Sequence, residues 1–147
     1  IPVMAMLRLP TSTSGGKANL HQGAVGAGVN ILDGVTHSGV MNNRAIERHP
    51  DTGGRIAGIR IPSWEILMRH AAALYDVLEL GYFGADFVLD RETGPILLEA
   101  NARPGLAIQI ANKCGLLRRL AYARDRAAEA DTVTRRLEIA RHAATIF

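Results

Sequence analysis

Three residues of the chain have the types and spacing for metal chemistry: Asp86, Glu99 and Asn101. Phe83 to Leu89 and Pro95 to Asn101 each read as a strand. The link Asp90-Arg91-Glu92-Thr93-Gly94 is short enough for a hairpin. A turn symmetric about Glu92 and Thr93 pairs Phe87 with Leu98, Leu89 with Ile96, and Ala85 with Ala100. That face is wholly apolar. The same register puts Asp86 opposite Glu99 on the other face. Glu99 and Asn101 point the same way because side chains alternate along a strand. Opposed carboxylates repel at a cost on the order of a few tenths of a kcal/mol, and a bound cation reverses that sign. Hard oxygen donors without His or Cys suit Mg²⁺, which completes its shell with water and phosphate oxygens. The bland alternative is a pair of edge carboxylates in solvent.

The elements that must position this group follow from a pass along the chain. Pro2 to Leu9 reads as a strand and Thr11 to Lys17 as a small-polar loop. Gly23 to Leu32 and Val35 to Met41 are strand-like runs joined by a hairpin signal at Asp33-Gly34. Asn42 to Arg60 is rich in turn residues and reads as a long loop with short strand pieces. A helix then begins at Pro62-Ser63, with Ser63 as N-cap and Gly81 as terminator. Ile66, Leu67, Leu74, Val77 and Leu78 form its apolar stripe. Leu106 to Lys113 is a short helix. Leu116 to Ala128 and Asp131 to Ile146 are Ala/Arg/Leu-rich helices, with Asp131 as the cap between them. The fold class is α+β, a mostly antiparallel sheet packed with helices.

Composition narrows the options. The 147 residues are 48% apolar and 21% charged, as in an ordinary globular protein with a real core. No apolar run approaches the roughly 18 residues that a spanning helix needs, so no membrane partner is expected. A single cysteine, Cys114, excludes an intrachain disulfide and fits a cytoplasmic setting. It reads as a buried small residue. The net charge of +3 lies wholly from Leu116 onward, where seven Arg face four acidic residues. Interleaved signs and few aromatics favour a solvated helix face over nucleic-acid binding. Gly15-Gly16-Lys17 lacks Walker spacing. His21, His37 and His49 lack zinc-ligand spacing.

The segment GADFVLDRETGPILLEANARPGLAIQIAN resembles the C-terminal metal-binding hairpin of ATP-grasp enzymes. It is most similar to the α-L-glutamate ligase group and its sugar-transfer-associated relatives. Asn19-Leu20-His21-Gln22-Gly23 resembles a second stretch of that group, preceded by Lys17 and by the strand-borne Arg8. The resemblance runs from about Met4 to Asn112. It implies ATP and two Mg²⁺ ions as cofactors, with Mn²⁺ as a substitute, the metals being held by Asp86, Glu99 and Asn101. It implies Arg8 and Lys17 as catalytic and nucleotide-binding cations, with Asn19 on phosphate, metal or substrate. His21 and Arg103 would contact substrate. Each has an ordinary alternative: a surface Arg, a loop Lys, a turn-forming Asn, or a turn Arg paired with an acid such as Asp90.

The implied reaction is ATP-dependent joining of a carboxylate to an amine through an acyl phosphate. On this reading residues 1–115 are the C-terminal lobe of an ATP-grasp domain and 116–147 a helical extension. The opening at Ile1 suggests a fragment without its N-terminal lobe, inactive alone, whose uncovered face favours a homodimer. The competing class is a non-catalytic module that engages a protein or RNA through its basic C-terminal helices.

Overall fold

The computed structural model describes residues Ile1–Phe147. Strands β1 (Ala5–Leu9), β2 (Val25–Val29), β3 (Thr36–Met41) and β4 (Arg44–Ile46) form one antiparallel sheet in chain order. Strands β5 (Gly84–Asp90) and β6 (Gly94–Asn101) form a separate hairpin. The helices are α1 (Trp64–Leu78), α2 (Ala107–Asn112), α3 (Leu117–Asp125) and α4 (Val133–Ile146). The α+β reading therefore holds. No helix is long and apolar enough to cross a membrane. The chain divides into two units: Met4–Ile61 with Leu106–Arg118, and Ile1–Val3 with Pro62–Gly105 and Arg119–Phe147.

The first unit is built around β2, Val-Gly-Ala-Gly-Val, which is buried along its whole length. Val25 and Ala27 pack with Ile56, Leu7, Leu9, Met41 and Ile46 on one face. The other face is made by glycine. A Cβ at Gly28 would stand 2.5 Å from the Ala111 carbonyl, and one at Gly26 would stand 2.7 Å from Leu20. These absences of side chain let α2 and the Leu20 segment lie directly on the strand. Ser38 Oγ donates to Ala111 O at 2.6 Å, and Asn112 Nδ2 donates to Ala5 O and Ile108 O. The β3–β4 turn is Asn42-Asn43, both at positive φ, which resolves part of the expected long loop into a tight hairpin. The Asp33-Gly34 hairpin forms as expected. Asn30 Oδ1 accepts from Leu32 N–H, Asp33 Oδ1 accepts from Val35 N–H, and Gly34 sits at φ +68.

In the second unit α1 buries Trp64, Met68 and Ala72, while α4 buries Arg136, Leu137, Ile139, Ala140 and Ala143. This differs from the stripe read from sequence: Val77 is 79% exposed and Ile66 49%. The buried stripe is rotated toward Trp64, and small Ala72 leaves its own carbonyl open to the Arg136 guanidinium at 3.0 Å. Three caps also differ. Ser63 lies at φ +54 and makes no side-chain cap bond, because a left-handed residue cannot aim its hydroxyl at the first-turn amides. Glu79, not Gly81, ends α1 in the left-handed region, its N–H donating to Tyr75 O. Thr132, not Asp131, caps α4, since its extended backbone lets Oγ1 accept from Arg135 N–H.

Candidate functional site

The hairpin is set by its turn. Asp90 Oδ1 accepts from Glu92 N–H at 2.9 Å, from Thr93 N–H at 2.8 Å and from the Thr93 hydroxyl at 2.9 Å. Gly94 follows at φ +80. Asp90 and Gly94 pair, so the loop encloses three residues, Arg91 to Thr93, and is not symmetric about Glu92 and Thr93. Phe87 therefore faces Leu97 rather than Leu98, and Leu89 faces Pro95 rather than Ile96. A bulge beyond Phe87 absorbs Leu98 and restores the expected register. Asp86 pairs with Glu99, Ala85 with Ala100, and Gly84 with Asn101. The carboxylates are thus apposed as expected, but by a turn and a bulge that cancel. The expected clean apolar face does not form: Leu98 is 63% exposed at the bulge.

Asn101 Oδ1 accepts from Arg103 N–H at 2.8 Å, which turns the chain as it leaves β6. Gly84 is required opposite this turn, because a Cβ there would lie 2.7 Å from the Pro104 ring. Asp86, Glu99 and Asn101 are consequently gathered at the open end of the hairpin, with Arg103 just beyond. No group of three or more His, Cys, Asp or Glu side chains is placed to hold a metal. The hairpin offers two carboxylates and one amide oxygen. That set fits Mg²⁺ in donor type and is too small for a cage made by protein alone, as suits an ion shared with phosphate oxygens.

The cationic candidates belong to the other unit. Arg8 stands on β1 opposite Gly26, on the face away from Leu7 and Leu9. Asn19 Oδ1 accepts from His21 N–H and Asn19 O from the Gln22 and Ala24 amides, so Asn19 shapes the short turn that carries exposed His21. Thr11 to Lys17, read as a small-polar loop, is a compact turn. The Gly15, Gly16 and Lys17 amides donate to Ser12, Thr11 and Ser14 carbonyls. Buried Thr11 and Ser14 bond each other reciprocally, and Thr11 Oγ1 donates to Gly23 O at 2.8 Å. In this conformation the loop's cationic contribution is the Lys17 side chain, not its backbone amides.

Sequence reasoning missed the contacts that hold this loop. Asp51 accepts from Ser12 N–H at 2.7 Å and from Ser12 Oγ at 2.6 Å. The imidazole of His49 bonds Pro10 O at 2.9 Å. These partners lie 39 residues apart, and no local spacing announces them.

Three carboxyl groups are held below the ordinary carboxylate range. For Asp51 the first cause is the Ser12 hydroxyl, for Asp76 the Arg136 guanidinium, and for Asp90 the Thr93 amide. A carboxyl lowered by folding leaves the unfolded chain holding more protons as pH falls. Its contribution is full above the ordinary value and is lost as pH drops through the lowered one. Melting temperature should therefore fall below about pH 5, and less steeply in Asp90→Asn. Equal acid slopes in the two proteins would refute this role of Asp90.

Two antiparallel sheets with four helices make an α+β fold consistent with an ATP-grasp domain. More narrowly, the profile of the sugar-transfer associated ATP-grasp family matches residues 1–124, and the chain belongs to that family. Membership makes it part of an ATP-binding, ligase-type family. No curated protein and no solved structure matches the chain.

Proposed function

We propose that the protein serves an ATP-dependent ligase joining a carboxylate to an amine, with Asp86, Glu99 and Asn101 holding the Mg²⁺ ions that carry the phosphates. The observation that carries this reading is the direct cross-strand pairing of Asp86 with Glu99. Like charges directly opposite on a sheet repel, and a cation held between them reverses that sign. The substrate carboxylate oxygen attacks the γ-phosphorus and ADP leaves. The amine then attacks the acyl carbon, and phosphate leaves with the acyl oxygen.

Bound Mg²⁺ would neutralise phosphate charge. Arg8, whose guanidinium is a planar fork suited to oxyanions, would stabilise the transferring phosphoryl group. Lys17 would add a second cation. Asn19, His21 and Arg103 are assigned to substrate. The family's association with sugar transfer favours polysaccharide building over glutamate addition to a peptide. Dependence on ATP favours the cytoplasm.

The test on the full protein is ADP release that requires both a carboxylic acid and an amine. Arg8→Ala should lower kcat on the order of a hundredfold. ADP release indifferent to both acceptors would sink the ligase reading.

The alternative is a module binding protein or RNA through basic helices, but many of these Arg already have partners within the chain. Arg119 donates to Val3 O, Arg124 pairs with Asp125, and Arg126 stacks 3.6 Å over the Tyr122 ring. Arg135 bridges Glu129 and Glu138, Arg136 pairs with Asp76, and Arg141 with Glu65. Arg136 is buried, and Arg124, Arg135 and Arg141 each have an acidic partner at the surface.

A further inference from the structure

We propose that Asp51 is a positioning residue for Lys17, acting through Ser12. The carboxylate grips Ser12 at two points, its amide at 2.7 Å and its hydroxyl at 2.6 Å. Charge assistance makes such bonds stronger than neutral ones, and two from one carboxylate fix direction as well as distance. The grip is transmitted through the loop backbone. Ser12 O accepts from Gly15 N–H at 3.0 Å, and Ser14 O accepts from Lys17 N–H at 3.2 Å. Gly15 and Gly16 lie at φ +61 and +75, a path that only glycine follows freely, so the loop has its own stiff shape once Ser12 is held.

His49 holds the residue before the loop. Its Nδ1 accepts from the Asp51 and Thr52 amides at 3.3 and 3.4 Å, which leaves Nε2 to donate to Pro10 O at 2.9 Å. One turn, His49 to Gly53, therefore grips the chain on both sides of buried Thr11. On the other side of the loop only the Leu20 turn follows, anchored over Gly26. Lys17 thus stands between two fixed points. Without Asp51 the exposed Ser12 is released while buried Thr11 and Ser14 keep their mutual bonds. The expected result is a loosened loop on an intact sheet.

The functional half of this inference rests on the assignment of Lys17 to the nucleotide. The experiment uses the whole chain as wild type, Asp51→Ala, Asp51→Asn, Lys17→Ala and the Asp51→Ala, Lys17→Ala double variant. Amide exchange at Gly15, Gly16 and Lys17 should quicken at least on the order of tenfold in Asp51→Ala, which removes both charge-assisted hydrogen bonds to Ser12. Asp51→Asn, which keeps an acceptor for the Ser12 amide, should recover part of the protection. Exchange across Val25–Val29 should not change. Equal loop exchange in wild type and Asp51→Ala overturns the proposal.

Mg²⁺–ADP affinity is the second readout. Asp51→Ala should weaken it, and the double variant should bind no worse than Lys17→Ala, since both remove one contact. Additive losses overturn the proposal. Failure of the wild type to bind Mg²⁺–ADP would defeat the ligase reading by itself. The exchange result would then decide the hold of Asp51 on the loop, faster exchange supporting it and unchanged exchange overturning it.

Discussion

Glu99→Ala should melt no lower than the wild type without ligand and yet lose the stabilisation that Mg²⁺–ADP confers. The two halves have one cause. Glu99 is the direct cross-strand partner of Asp86, so in metal-free protein it contributes repulsion, on the order of a few tenths of a kcal/mol. Removing it relieves that cost. A cation changes the sign: with two carboxylates and one amide oxygen as the protein's whole offer, loss of one carboxylate leaves too little to hold the ion. Even partners one shell out from a metal cost about 10–100-fold in affinity when removed, so a direct ligand should cost at least that. At a nucleotide concentration of about 100 Kd, ligand stabilisation is about 2.7 kcal/mol. Thermal melts with and without Mg²⁺–ADP should show this shift in wild type and almost none in Glu99→Ala. Glu92→Ala, in the hairpin turn, should keep it. A ligand-free melt that drops sharply in Glu99→Ala would instead mark Glu99 as a structural residue.

Arg136→Met should be strongly destabilising. Arg136 is 3% exposed. Its guanidinium donates to Ala72 O at 3.0 Å, Ala130 O at 2.9 Å, Asp131 O at 3.4 Å and Asp76 Oδ1 at 2.6 Å, and it lies 5.0 Å over the Tyr75 ring. It is the clasp between α1 and α4. Methionine keeps the apolar stem but removes the donor shared by the Ala72 and Ala130 carbonyls and the partner of Asp76. Truncating one side of such a buried network costs about 3 kcal/mol, or roughly 10 °C in melting temperature for a chain of this size. The neighbouring Arg135 pairs with two exposed carboxylates, and Arg135→Met should change the melt little. Equal melting temperatures for the two variants would contradict the clasp.

The sequence carried the hairpin and its carboxylate pair because both depend on alternation and on a short loop, which are local. It misjudged the turn, since Asp90 and Gly94 together make a three-residue loop where two central residues seemed sufficient. The bulge at Leu98 then compensated, and the apposition of Asp86 and Glu99 came out as read for a partly wrong reason. The apolar periodicity of α1 fitted two adjacent stripes. Only the partner helix, with Arg136 reaching for the Ala72 carbonyl, selects the one with Trp64 and Met68. Gly26 and Gly28 look like weak strand residues until α2 and Leu20 are seen packed on them. The Ser12–Asp51 and His49–Pro10 contacts have no sequence signature, because nothing periodic links residues so far apart.

The decisive measurement is calorimetric titration of Mg²⁺–ADP into the full protein, wild type beside Glu99→Ala, each repeated with chelator. Binding by the wild type that requires Mg²⁺ and is lost in Glu99→Ala is the expected result. Equal binding by both proteins, or binding indifferent to chelator, would contradict a metal–phosphate site on the β5–β6 hairpin.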